Sequence, residues 1–311
     1  MLLNLQKKKI TINYKVEAHR LDGLFLDKIK MKSISKELIS EVIKKRKSAT
    51  HKGNYGRVLL IGGSKKYGGA LIMSAEGALN SGAGLTTVAT DSVNINALHT
   101  RDPEIMALDW KKRDELKNLI VSSDVVVCGM GLGLDDQAQD ILALIRDSIT
   151  SKQVLILDAS ALDLISQQKD LLPVNSKLVI FTPHQMEWQR LSKIKIADQT
   201  DQLNQAFLNE LVPRKNAILV LKSNHTKVYD QAGNIYQNPF GNPGMAIGGM
   251  GDTLAGIIGG FCGQFTPNLA TVAGAVGLHS ITADEIAKKQ YIVRPTQLSA
   301  LIPAMMRKYE K

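Results

Sequence analysis

RVLLIGGSKKYGGALIMSAEGALNSGAGLTTVAT, residues 57–90, decides the fold. It opens on one apolar run, RVLLIG (57–62), and closes on another, LTTVAT (85–90). Between them ALIMSAEGALNSG (70–82) carries the period of a helix. Strand, helix and strand at this spacing form a crossover unit, which joins parallel strands on one edge.

Working outward, the pattern recurs. Further strand candidates are DVVVCG (124–129), QVLILD (153–158), KLVIFT (177–182) and AILVLK (217–222), with helix-like pieces such as DDQAQDILALIRDSI (135–149) between them. The strands are apolar almost throughout, as expected when helices cover both faces of a sheet. TKVYDQAGNIYQ (226–237) reads as a hairpin around Asp230–Gly233, and the chain after Gly251 reads as helical. The expected fold is therefore a three-layer α/β/α domain with a mainly parallel central sheet. No internal repeat or interdomain linker interrupts it. The expected organisation is a basic N-terminal extension and helix over residues 1–47, then one domain over 48–311.

Composition narrows the function class. The chain has 311 residues, 44% of them hydrophobic, enough for a sizeable core. No run reaches the roughly 18–20 apolar residues of a membrane helix, and MLLNLQKKKITINYK has its charges in the wrong order for a secretory signal. The two cysteines, Cys128 and Cys262, are far apart, which fits small buried hydrophobes in a reducing cytoplasm. Residues 1–52 hold 14 Lys/Arg against 5 Asp/Glu, a surplus of +9 within a net charge of +10. Such a charged lead-in, here SISKELISEVIKKRKS, is expected as a solvated, Ser-capped helix rather than a nucleic-acid site. Met31 is a second candidate start of the chain.

In open parallel sheets, ligands sit beyond the carboxyl ends of the strands. Five polar or glycine-rich stretches follow strand ends: GGSKKYGGA, GMGLG, DAS, TPHQME and KSNHT. They are expected on one rim. The sixth and most informative is GNPGMAIGGMGDTLAGIIGG (241–260), with eight glycines and a single ionisable side chain, Asp252. Leu254, Ile257, Ile258 and Phe261 fall at helical spacing, so a helix begins near Asp252. A helix start offers unpaired N–H groups and partial positive charge, and glycines let those groups converge on an anion. Asn242, Gly244, Gly248 and Gly249 are the expected anion hole. The plainer alternative is Asp252 as an N-cap beside a tight turn. No GK[ST] follows, so this is not a Walker loop, and GMGLGL (129–134) fails as a dinucleotide fingerprint because Leu134 stands where the third glycine belongs.

NPGMAIGGMGDTLAGII (242–258) resembles the N-x-G-x-A-x-x-G-x-G-D signature of the bacterial ADP-dependent NAD(P)H-hydrate dehydratases, within the ribokinase-like superfamily. HKGNYGRVLLIGGS (51–64), GGALIMSAEGALNSGAGLTTV (68–88), CGMGLG (128–133), LDASAL (157–162), TPHQME (182–187) and VLKSNHT (220–226) are similar to that family's blocks, in its order. The resemblance runs from about residue 48 to the C-terminus.

The resemblance implies dehydration of the (S)-epimer of NADHX or NADPHX to NADH or NADPH, driven by ADP or ATP with Mg²⁺. It makes Asp252 the catalytic base. Ala70, Gly131, His184 and Asp252 become substrate contacts, and Lys222, Ser223, Asn224, His225, Thr226 and Gly251 nucleotide contacts. Glu187 and Asp158 are candidates for holding Mg²⁺ through water. It also implies a separate NAD(P)H-hydrate epimerase, a cytoplasmic location and assembly as a tetramer. Two departures stand out: Gln185-Met186 where the family reads Pro-Gly, and Ser223 where it has glycine. Ser223 matters only if that position needs positive φ. Two other functions compete: a ribokinase-like kinase for a vitamin-precursor alcohol, and a nucleotide sensor without turnover.

Overall fold

The computed structural model describes residues 29–214 and 216–311. A ten-stranded sheet runs through it in the order β1-β10-β9-β8-β7-β6-β5-β2-β3-β4. The strands are β1 (Lys30–Ser33), β2 (Arg57–Ile61), β3 (Leu85–Thr90), β4 (Met106–Asp109), β5 (Val125–Cys128), β6 (Val154–Leu157), β7 (Leu178–Phe181), β8 (Ala217–Leu221), β9 (Lys227–Asp230) and β10 (Asn234–Gln237). Only β9 runs against the rest. All six strands expected from apolar runs form, and the expected hairpin is β9–β10.

Alternation along each strand explains the three layers. Val58 and Leu60 pack into one core, Leu59 and Ile61 into the other, and β5, β6, β7 and β8 divide their side chains the same way. On the first face lie α1 (Lys36–Val42), α2 (Gly68–Asn80), α9 (Met250–Gln264), α10 (Leu269–Ala287) and α11 (Pro295–Tyr309). On the second lie α4 (Arg113–Ser122), α5 (Asp136–Ser148), α6 (Ala159–Gln167), α7 (Gln185–Ser192) and α8 (Asp201–Leu211). The short α3 (Ile95–Arg101) connects β3 to β4. Cys128 and Cys262 are both buried and unpaired.

The N-terminal region differs from expectation. Residues 1–28 of the expected extension lie outside the described residues, but packed structure begins well upstream of residue 48. Here β1 adds a parallel edge strand against β10. Ser35 caps α1 as a serine was expected to, yet that helix ends at Val42, before the basic run 44–47. Ile34, Ile39, Val42 and Ile43 enter the core, so this is no merely solvated helix. Apolar spacing inside SISKELISEVI, rather than its charge, decides where the segment goes.

The chain visits β3 and β4 on one side of β2, then crosses to β5 on the other. The loops after β2 and β5 therefore diverge and leave a crevice at the carboxyl rim.

Candidate active site

The glycine stretch forms the mouth of α9. Gly249 is the N-cap, with φ +94°, a conformation a side chain rarely adopts. A Cβ there would also strike Met73 Sδ at 2.3 Å. A glycine has no side chain to cap with, so the first-turn N–H groups of α9 gain no acceptor from the N-cap residue. Asp252 lies inside that first turn and is not the cap, which disposes of the plainer alternative. Gly248 faces open space among the described residues, with none of their atoms within 4 Å of a Cβ built on it.

The other two residues expected in the anion hole are used differently. Asn242 caps the turn Pro243–Met245, and its Oδ1 accepts from the Gly244 N–H at 3.0 Å. Asn242 Nδ2 donates to Asp284 Oδ1 at 2.8 Å, and the Gly241 N–H to Asp284 Oδ2 at 3.0 Å. The Gly244 donor is therefore spent on the turn and unavailable to an anion. Asn242 and Gly244 shape the loop, and Asp284, which carried no signal in the sequence, anchors it.

Beside the mouth stands Lys222, at the end of β8. Its Nζ lies 3.2 Å from where a Gly251 Cβ would be, and it donates to Asp158 Oδ1 at 2.8 Å. Asp158 is 1% exposed, and the same Oδ1 also accepts from Thr182 Oγ1 at 2.9 Å. Burial alone would lower the Lys222 ammonium, but Asp158 and Glu187 reverse that and hold it above its usual value. Burial raises the Asp252 carboxyl to about 6, with Asp158 and Glu187 adding and Lys222 opposing. Glu187 is likewise raised, first by burial. Three carboxylates thus share one ammonium.

His184 caps α7. Its Nδ1 accepts from the N–H groups of Met186 and Glu187, both at 3.1 Å, while Glu187 Oε2 accepts from the His184 N–H at 2.8 Å. A neutral ring then carries its proton on Nε2, 3.4 Å from Glu187 Oε1. Gln185 and Met186 simply begin the helix, so the missing Pro-Gly leaves an ordered turn. His184 and Lys222 are neighbours through an isolated parallel bridge, with the Lys222 N–H on Pro183 O at 2.8 Å.

Ser223 to Thr226 close a turn. Thr226 Oγ1 accepts from the Ser223 N–H at 3.3 Å and donates to Ser223 O at 3.2 Å, so its hydroxyl serves the turn first. Asn224 and His225 are exposed on that turn, with His225 Nδ1 3.4 Å from Asn238 O. Ser223 is not among the residues with positive φ, so the loss of glycine costs nothing here.

Ala70 and Gly131 come together across the crevice. Gly131 has φ +63°, and a Cβ on it would lie 2.4 Å from Tyr67 O and 3.2 Å from the Ala70 Cβ. One turn further along α2, Met73 meets Gly249. The crevice and the glycine mouth are thus linked through a single helix.

His279 on α10 was not singled out from the sequence. It is buried, its Nε2 has no partner among the described residues, and burial lowers it to about 4. Its neighbours in sequence are small or apolar, and nothing in that pattern separates it from a core residue.

Among the described residues, no three His, Cys, Asp or Glu side chains are grouped closely enough to hold a metal by themselves. Asp158 Oδ1 is already committed to Lys222 and Thr182. What the site does offer a cation is an excess of carboxylate beside the uncapped mouth of α9, which fits an ion carried on phosphate oxygens and water.

Comparison with known proteins shows the family and the fold. A family model described as NAD(P)H-hydrate dehydratase matches residues 58–304. The chain is 49% identical over 279 residues to the ADP-dependent (S)-NAD(P)H-hydrate dehydratase of Enterococcus faecalis, covering 90% of this chain and 94% of that protein. It superposes with a TM-score of 0.86 on a ribokinase-like superfamily protein from Enterococcus faecalis, at 48% identity, covering 90% and 96% of the two chains. The ADP/ATP-dependent NAD(P)H-hydrate dehydratase of Bacillus subtilis, co-crystallised with ATP and Mg²⁺, matches with a TM-score of 0.76 at 26% identity, covering 92% and 100%. Fold, glycine mouth and matched length together place the chain in the NAD(P)H-hydrate dehydratase family.

Proposed function

We propose that this protein dehydrates the (S)-epimer of C6-hydrated NADH and NADPH, NADHX and NADPHX, at the expense of ADP. The observation that carries the mechanism is a half-buried Asp252, raised to about 6, in the uncapped first turn of α9 with the Lys222 ammonium over Gly251.

At neutral pH Asp252 is ionised and still basic enough to take the proton of the substrate's C6 hydroxyl. The freed oxygen attacks the terminal phosphoryl group: a new P–O bond forms, and the bond to the leaving nucleotide breaks. Backbone N–H groups of the mouth and the Lys222 ammonium hold the phosphoryl oxygens as charge shifts among them. The ring nitrogen lone pair then expels phosphate from C6. Loss of a proton from C5 restores the dihydropyridine, so phosphoryl transfer ends as net dehydration.

Ala70 and Gly131 give the flat ring close access to backbone, and His184 offers its ring from the neighbouring rim. Ser223, Asn224, His225 and Thr226 form the turn beside the nucleotide. Mg²⁺ would be held by nucleotide phosphates and, through water, by Glu187, with Asp158 contributing charge behind Lys222; bound there it would offset phosphate charge. By resemblance to the family, the enzyme works in the cytoplasm as a homotetramer alongside a separate epimerase.

Purified protein given hydrate, ADP or ATP, and Mg²⁺ should restore the near-ultraviolet absorbance of the dihydronicotinamide. A folded sample that binds nucleotide but restores none overturns the proposal. A stable phosphorylated product would instead indicate a small-molecule kinase.

A further inference from the structure

Asp158 stands at the end of β6 in the N-cap position of α6, yet its side chain makes no cap hydrogen bond to that helix. It reaches across the sheet edge instead, and Oδ1 takes both the Lys222 Nζ and the Thr182 hydroxyl. Backbone on both sides is adapted to this aim. Ala159 has φ +46°, in the left-handed region that a residue with a side chain enters at a cost. Gly129 presses against the Asp158 carbonyl, and a Cβ there would sit 1.8 Å from that oxygen. What the arrangement delivers is one buried carboxylate oxygen to one ammonium. Among the described residues Lys222 Nζ has no other acceptor, so two of its three N–H groups remain for a ligand.

We infer that Asp158 is a positioning residue, which with Thr182 as its second anchor fixes the Lys222 ammonium over Gly251 so that its remaining donors meet the transferred phosphoryl group. The identity of the nucleotide rests on the proposed dehydratase function; the coupling of the pair does not. A direct metal ligand at this place would act through Mg²⁺ and independently of Lys222. A positioning residue acts only through Lys222 and needs no metal to do so.

The test is ADP binding by calorimetry, with and without Mg²⁺, for wild type, Asp158→Asn, Lys222→Met and the double variant. Asp158→Asn should weaken ADP binding about tenfold, the scale of a lost charge-assisted hydrogen bond, whether or not Mg²⁺ is present. The double variant should bind no more weakly than Lys222→Met alone. Thr182→Val should move ADP affinity the same way, by about twofold to threefold, and lose that effect in the Lys222→Met background. It decides the matter if Asp158→Asn does not fold. Additive losses in the double variant would overturn the inference, as would a loss that appears only with Mg²⁺ and is reversed by raising it. A lowered melting temperature with unchanged ADP affinity would overturn it too. Should wild type bind ADP without restoring dihydronicotinamide, the dehydratase reading falls while this cycle still reports on the pair.

Discussion

Asp252 occupies a place that disfavours its own charge, and its two protonation states pull stability and activity in opposite directions. Its carboxyl titrates at about 6 in the fold against 3.8 for the unperturbed group, so the folded state holds the proton more tightly. The stability this gives is fully present below about 3.8 and is lost as pH rises through about 6. Asp252→Asn stays neutral and loses nothing over that window. Its melting temperature should therefore draw ahead of wild type between those two pH values and stay ahead above, by a few degrees. Its turnover should fall by about 10²- to 10⁴-fold with nucleotide binding kept. Wild-type kcat/KM should decline as pH drops below about 6, measured with the hydrate assay in overlapping buffers. A melting curve for Asp252→Asn that never separates from wild type would show that the fold does not raise this acid. Asp252 and the glycines beside it were legible because a lone carboxylate amid glycine is rare in a helix start. The Asp158–Lys222 pair was not, since 64 residues separate them and only the sheet order makes them neighbours. Asn242 and Gly244 misled for a related reason: glycine and asparagine build turns as readily as they bind anions.

At the scale of elements, α9 and α2 pack with almost no side chain between them. A Cβ on Gly256 would lie 1.8 Å from Ser74 O, and one on Gly77 would lie 2.5 Å from Thr253 O. Backbone cannot yield as a side chain does, so Gly256→Ala should force the helices apart at about 3 kcal/mol. Gly248 has no atom of the described residues within 4 Å of its Cβ position and an ordinary φ, so Gly248→Ala should leave the melting temperature nearly unchanged. Its methyl would stand in the open mouth, where ADP affinity should fall severalfold if phosphate enters there. Thermal melts and nucleotide titration of the two variants separate the roles; a reversed pattern would contradict both. The sequence revealed β2, β3, β5, β6, β7 and β8 because strands covered on both faces read as apolar runs. It hid β1 and β4, whose sequences are KMKS and MALD. Edge strands meet solvent, and four residues with charges carry no usable period.

Over the whole molecule, the last question is where the folding unit begins. Ile34 and Ile39 press into α10 where Gly277 leaves room, a Cβ there coming within 2.6 Å of Ile34 Cγ2. Val42 packs likewise against Gly274. Beyond α1 the segment is clasped by the far end of the chain, with the Lys45 N–H on Lys311 O and the Lys311 N–H on Ile43 O. Ile34, Ile39, Val42 and Ile43 together stabilise the fold by roughly 6–12 kcal/mol as an upper figure, at 1.5–3 per side chain. That is comparable with the whole stability of a typical domain. A protein starting at Met31 keeps all four side chains and three of the four β1–β10 pairs. It should melt cooperatively within a few degrees of the full chain. One starting at residue 48 loses them all and exposes the floor of α10, and it should aggregate or melt without a cooperative transition. Circular dichroism melts of both truncations decide it. A well-behaved protein from residue 48 would mean that strand β1 and helix α1 decorate the fold rather than complete it.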